Sequence, residues 1–189
     1  NLQPEESKAW SLGTTVDILD NLTLDVSWWK FEFDNKIATQ SPTDVVREFP
    51  NGSPENPVVR DSTGRIVSVT ARFFNQASVV TEGVDFGVSY FRSLGRGDLN
   101  LNLSGTYVSH YKLQDRPGGP IYDPAGATHD RLTAPPQSDL RFNARATWTS
   151  GPHSITGLLR YYSPLEFTLD PTIEISAFTP LDLAYTYTM

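Results

Sequence analysis

The chain has 189 residues, 38% hydrophobic and 12% aromatic, and its 22 acidic against 15 basic side chains leave a net charge of -7. An acidic chain with a pI near 4.9 lacks the basic stripe a nucleic acid would need, and zero cysteines exclude a disulfide scaffold and any thiolate metal site. Mean hydropathy is -0.34 and no run approaches the roughly 18 apolar residues of a membrane helix; this excludes a helical membrane protein but not a barrel, whose strands are only half apolar.

The opening Asn1-Leu2-Gln3-Pro4 has no charged n-region or apolar h-region, so no signal peptide is expected here, and the chain is either cytosolic or a segment of a longer secreted one. Residues 7–18 then alternate, with Trp10, Leu12, Val16 and Ile18 against Ser11, Gly13, Thr15 and Asp17. Period 2 means a strand with one apolar and one polar face. After a turn at Leu19-Asp20-Asn21, residues 22–33 repeat the pattern with Leu22, Leu24, Val26 and Trp28, and then slip in phase to Trp29, Phe31 and Phe33. The slip predicts either a β-bulge or a strand leaving the membrane, where outside and inside change meaning. Residues 34–80 read as a loop of functional length, rich in Pro, Asn, Ser and Gly. Inside it Val58-Val59-Arg60 and Arg65-Ile66-Val67-Ser68-Val69 flank Asp61-Ser62-Thr63-Gly64 as a small hairpin.

Residues 81–92 and 98–111 form one long hairpin around Gly95-Arg96-Gly97-Asp98, residues suited to a tight turn. Val84, Phe86, Val88 and Tyr90 alternate with Asp85, Gly87 and Ser89; Leu99, Leu101, Leu103, Tyr107 and Tyr111 belong to the apolar set of the second arm. Arms of about ten residues or more exceed the usual soluble strand and match the roughly 9–11 residues that cross a bilayer. A second loop, residues 112–138, carries Pro117-Gly118-Gly119-Pro120 and Ala134-Pro135-Pro136. Strands follow at 139–149 and 153–162, the latter with Leu158 interrupting its polar face. A third loop covers 163–179, and a last strand, 180–189, holds Leu181-Asp182-Leu183.

The pattern gives about seven strands with connections alternating short and long, and no amphipathic helix of three turns. A soluble β-sandwich binding module of a secreted protein also alternates, and it is the other reading to weigh. Three features favour lipid over a core. Loop lengths keep a strict parity, aromatics gather near strand ends, and the polar faces suit a wet lumen. The expected class is therefore all-β, an antiparallel up-and-down transmembrane barrel. Seven strands cannot close such a barrel, so an open piece of a larger one is expected.

Several stretches resemble a known family. Asn1-Leu2-Gln3-Pro4-Glu5-Glu6-Ser7, Trp28-Trp29 followed by Asp34-Asn35-Lys36-Ile37, Val59-Arg60-Asp61 with Gly64-Arg65-Ile66, Asn75 with Gly83-Val84-Asp85-Phe86, and Leu181-Asp182-Leu183 are similar, in that order, to landmarks of the TonB-dependent outer-membrane receptors. The first departs from the family's pattern in having Gln3 for the usual lysine. The resemblance implies part of a barrel of about twenty-two strands in the outer membrane of a Gram-negative bacterium. It also implies an N-terminal plug and a TonB-contacting segment, both outside this sequence. The imported ligand would be a small molecule such as a ferric siderophore or an oligosaccharide, with no cofactor.

The lumen candidates for ligand or plug contact are Arg141, Arg145 and Arg160 on adjacent strands, with Asp182, Asp85, Asn100 and Asn102. Guanidiniums there attract an anionic ligand or pair with plug carboxylates, the second role carrying more weight, and Asp182 is a partner for Arg160 within the wall. Phe73, Phe74, Tyr122 and Phe167 are the loop candidates, either contacting ligand or packing loop on loop. His110, His129 and His153 have no metal-ligand spacing, and no metal site or catalytic constellation is expected. A membrane-barrel enzyme would need acidic, His and Ser residues converging at one rim, and none do so in the sequence.

Overall fold

A computed structural model describes residues 2–114, 119–128, 137–168, 170 and 172–189. Alternation becomes long strands: β1 (Glu6–Leu19), β2 (Leu22–Thr39), then after a short helix α1 (Pro42–Glu48) and a small hairpin of β3 (Val58–Arg60) and β4 (Ile66–Val69), β5 (Phe73–Leu94) and β6 (Gly97–Gln114). Short β7 (Ile121–Tyr122) and β8 (Ala127–Thr128) precede β9 (Leu140–Ser150) and β10 (His153–Tyr162). The chain continues through β11 (Leu165–Phe167) and β12 (Glu174–Ile175) to β13 (Leu181–Tyr187). Seven of these strands form the main sheet in the order β1-β2-β5-β6-β9-β10-β13, each antiparallel to the next in sequence, with β7 added at the far end of β6.

Register decides what the two faces are. One hydrogen-bonded row crosses all seven strands through Val16, Leu24, Val88, Leu103, Ala144, Leu159 and Leu181, and is apolar at every position. The adjacent row, on the opposite face, runs Asp17, Thr23, Ser89, Asn102, Arg145, Leu158 and Asp182, polar everywhere except Leu158. We call the first face outer and the second inner. Nothing packs on the outer face among the described residues: Leu12 is 77% and Leu183 75% exposed. Among the described residues no second sheet covers this face, as a β-sandwich requires.

Strand tilt is visible in the same pairings. From Thr14, mid-way along the apolar stretch of β1, partners lead through Val26, Phe86, Gly105 and Phe142 to Tyr161, near the long-loop end of β10. Rows thus cross the apolar band obliquely, by roughly one residue per strand, as in a wall whose strands lean roughly 35–45°.

Two short turns show why the hairpins are tight. Leu94 pairs with Gly97 and Ser150 with His153, and the first of the two turn residues is a glycine with positive φ, 61° at Gly95 and 54° at Gly151. A type II′ turn needs that conformation at that position, and L-residues adopt it rarely.

The phase slip at Trp28-Trp29 is not a bulge. Pairing of β2 with both neighbours runs unshifted from Thr23 to Asp34, so Leu22, Leu24, Val26 and Trp28 face outward while Trp29, Phe31 and Phe33 face inward. Beyond Trp28 the outer positions are Lys30 and Glu32, an ion pair at 2.7 Å; Lys30 lies over the Trp10 ring, and the Trp28 indole N–H donates to Glu82 at 3.0 Å. Apolar residues changed sides where the outer face became polar. The inner face there supplies the only buried aliphatics of the sheet among the described residues, Val79, Val108 and Leu113.

β2 and β5 also run past the bounds that periodicity gives, to Thr39 and from Phe73, because their outer halves form a ribbon without simple alternation. The segment between them holds α1, with Pro42 in its first turn and Val45 buried, and the β3–β4 hairpin with Gly64 at φ 84°.

Candidate functional site

The inner face carries all seven lumen candidates, since each sits one position away from an outward residue. Arg141, Arg145, Asp85, Asn102 and Asp182 are exposed there, and Asn100 and Arg160 are half-buried. A shallow cavity of about 400 Å³ lies on this face, lined by Asp25, Asp85, Ser104, Thr106, Arg141 and Asn143. Thr106 donates to Asp85 at 2.7 Å, and Ser89 donates to the Asn102 side-chain Oδ1 at 3.2 Å. Gly87 leaves room for the Asp25 carboxylate, whose oxygen would stand 2.3 Å from a Cβ.

Charge is divided across this surface. Asp17, Asp25 and Asp85 occupy the strands β1, β2 and β5, whereas Arg141, Arg145 and Arg160 occupy β9 and β10. Arg160 forms an ion pair with Asp182 on β13, and its Nε is buried without a partner. Arg141 and Arg145 have no ion pair among the described residues. Arg141 lines the polar trough and Arg145 follows it on the same face of β9; guanidiniums so placed can receive carboxylates or another anion bidentately.

The loop candidates fall on three separate ladders. Phe73 and Phe74 are the first residues of β5 rather than loop residues, paired with Thr39 and Ala38, and Phe73 is 66% exposed. Tyr122 pairs with Leu113 across β6 and β7, and Phe167 pairs with Thr128 in the parallel contact of β11 with β8. His110 meets Asp123 at 3.2 Å, and His153 meets the Tyr185 hydroxyl at 2.8 Å; His129 lies outside the described residues.

The inner aromatics Trp29, Phe31 and Phe33 belong beside these candidates. Trp29 and Phe31 have ring centroids 5.7 Å apart, and Lys36 stands 6.0 Å from the Phe33 ring. The phase slip signalled them, but only register shows that they face the same side as Arg141. Gly83, on the neighbouring strand, makes the space: a Cβ would lie 2.6 Å from the Trp29 ring and 2.4 Å from the Tyr107 carbonyl oxygen.

Three stretches behind the resemblance meet at the long-loop end of β2. Asn75 donates to the carbonyls of Gln3 at 2.9 Å and Asn35 at 2.7 Å, and accepts from the Gln3 N–H at 2.8 Å. Glu5 accepts from the Ile37 N–H at 3.0 Å, beside Asn35, whose φ of 54° is unique among the described non-glycine residues. Their spacing along the chain is thus the spacing of one hydrogen-bonded junction. A family model, described as TonB dependent receptor-like, beta-barrel, matches residues 1–189. No individual curated protein matches the chain. An open antiparallel sheet with one continuous apolar face, the landmark junction and a match along the whole chain agree: this chain belongs to the TonB dependent receptor-like β-barrel family.

Proposed function

We propose that the chain is part of the wall of an outer-membrane receptor that imports a scarce nutrient, with ferric siderophores the ligand class to test first. The observation that carries this is the row from Val16 to Leu181, apolar at all seven strands and backed by a polar row. Lipid would cover the outer face, the short turns would lie in the periplasm, and the inner face would meet a plug domain supplied elsewhere in the receptor. Arg141 and Arg145 then pair with plug carboxylates, or receive an anionic ligand while the plug moves. Trp29, Phe31 and Phe33, nearer the long loops, would meet the ligand earlier. Energy would come from the TonB complex through the plug side, and the wall performs no bond chemistry.

The test has two arms. The whole receptor should fractionate with outer membranes and run anomalously on SDS gels until heated; recovery as a soluble monomer would sink the proposal. Uptake of a labelled ferric siderophore under iron limitation should then fall on Arg141→Glu with Arg145→Glu, with the receptor still present in the membrane. Unchanged uptake of every iron chelate by a strain lacking the receptor would remove the siderophore and leave oligosaccharides as the next class.

A further inference from the structure

The outer face is not evenly filled. A groove of about 510 Å³ crosses it, floored by Ala144, Ala146 and Gly157 and walled by Leu101 and Leu103 on one side and Leu181 on the other. Small residues at neighbouring positions of β9 and β10 make the depression, and Leu183 only reaches to 3.5 Å of a Cβ placed on Gly157. Tyr90 also lines the groove, and two residues further along β5, on the same face, stands Arg92, just before the Gly95-Arg96 turn. Trp148 follows Ala146 on the same face of β9 toward that turn, and its indole Nε1 would lie 2.8 Å from a Cβ on Gly97.

Arg92 and Arg96 are exposed and hold no ion pair among the described residues, and the Trp148 N–H has no hydrogen-bond partner among them. Asp98, the acid of this turn, pairs with Thr149 on the inner row and accepts from Ser93 at 2.7 Å. Asp20 in the neighbouring turn makes no ion pair with either arginine. Unpaired guanidiniums at the edge of an apolar band call for an anion that is itself attached to an apolar chain.

We propose that this groove binds an anionic glycerophospholipid of the inner leaflet. One acyl chain lies over Ala144, Ala146 and Gly157, and the phosphate meets Arg92, Arg96 and the Trp148 indole. Charge complementarity at one end and an apolar channel leading from it select a lipid over a free anion or a neutral chain. The inference rests on the outer-membrane reading above.

The whole receptor, purified in mild detergent, is first checked for outer-membrane fractionation and heat-dependent gel mobility; failure there overturns the membrane reading itself. Native mass spectrometry with phosphatidylglycerol and with phosphatidylcholine of the same chain length then tests the site. The expected result is one tightly retained phosphatidylglycerol, preferred over phosphatidylcholine. Arg92→Gln with Arg96→Gln should weaken it roughly tenfold or more, two charges being removed. Ala146→Phe, which fills the groove, should weaken both lipids. Equal retention in wild type and both variants, no preference between the lipids, or full displacement by inorganic phosphate overturns the proposal, while the gel shift still certifies the barrel.

Discussion

Asn75 is the residue on which the long-loop end of the sheet turns. It makes three hydrogen bonds to the backbone of two separate segments, so Asn75→Ala should lower stability by about 2 kcal/mol, at roughly 0.5–1.5 per bond. The check is the guanidinium midpoint of the purified receptor in detergent. Glycines divide by what a side chain would strike. Gly83→Ala meets the Tyr107 carbonyl oxygen and the Trp29 ring at a bulge, and should cost about 1–3 kcal/mol in the same assay. Gly87→Ala meets the end of Asp25, which can rotate away, and should cost clearly less. In the β3–β4 turn, hydrogen bonds from the Thr63 hydroxyl and N–H and the Arg65 N–H hold the Asp61 carboxyl below the usual carboxylate range. A depressed folded pKa stabilises the turn above the unfolded value and loses that contribution as pH falls through the folded value. The turn should therefore be tight at neutral pH and loosen below about pH 4. Amide protection of Thr63 and Arg65, corrected for intrinsic exchange, reads this directly; protection unchanged in Asp61→Ala would contradict it.

At the scale of the element, β6 gives the sharpest test of the two faces. Leu103 lies in the apolar row and Ser104 beside it on the inner face. Leu103→Arg places a cation in mid-bilayer and should cost about 2–4 kcal/mol or block assembly, whereas Ser104→Arg should be near neutral. Assembled, heat-modifiable receptor in outer membranes is the readout, and equal tolerance would mean that the faces are wrongly assigned. The alternation that defines these faces was legible without coordinates because period 2 is local geometry. In β2 it was not enough. The residues Trp28 and Trp29 allowed two explanations, and only the unbroken pairing with β1 and β5 excluded a bulge. The extensions of β2 to Thr39 and of β5 from Phe73 were hidden for a related reason: outside the apolar band, neither face imposes an alternating composition.

For the molecule as a whole, the sheet is open. β1 and β13 are its edge strands, exposed along their whole length, and each offers unpaired backbone groups. Residues 1–189 produced alone in water should therefore aggregate rather than give a cooperative monomer, with the outer face and both edges exposed. Size-exclusion chromatography with light scattering would show it; a monodisperse folded monomer would favour a soluble module after all.

The pattern of residues by itself determined that the chain is all-β, where most strand cores lie, which side of most of them is apolar, and which family its landmarks resemble. Tyr111, grouped by alternation with Leu99 to Tyr107, instead pairs with Thr81 on the inner face, beyond the register shift at Glu82/Gly83. Side-chain parity and turn chemistry act over a few residues, so they can be read locally. Only the tertiary structure decided that seven separate apolar stripes align into one row from Val16 to Leu181. It also decided that Gln3, Asn35 and Asn75 meet, that Arg160 has Asp182 while Arg141 and Arg145 have no ion pair among the described residues, and that small residues of two strands leave a groove above Arg92. Those facts depend on register between segments up to 72 residues apart, which no local period encodes.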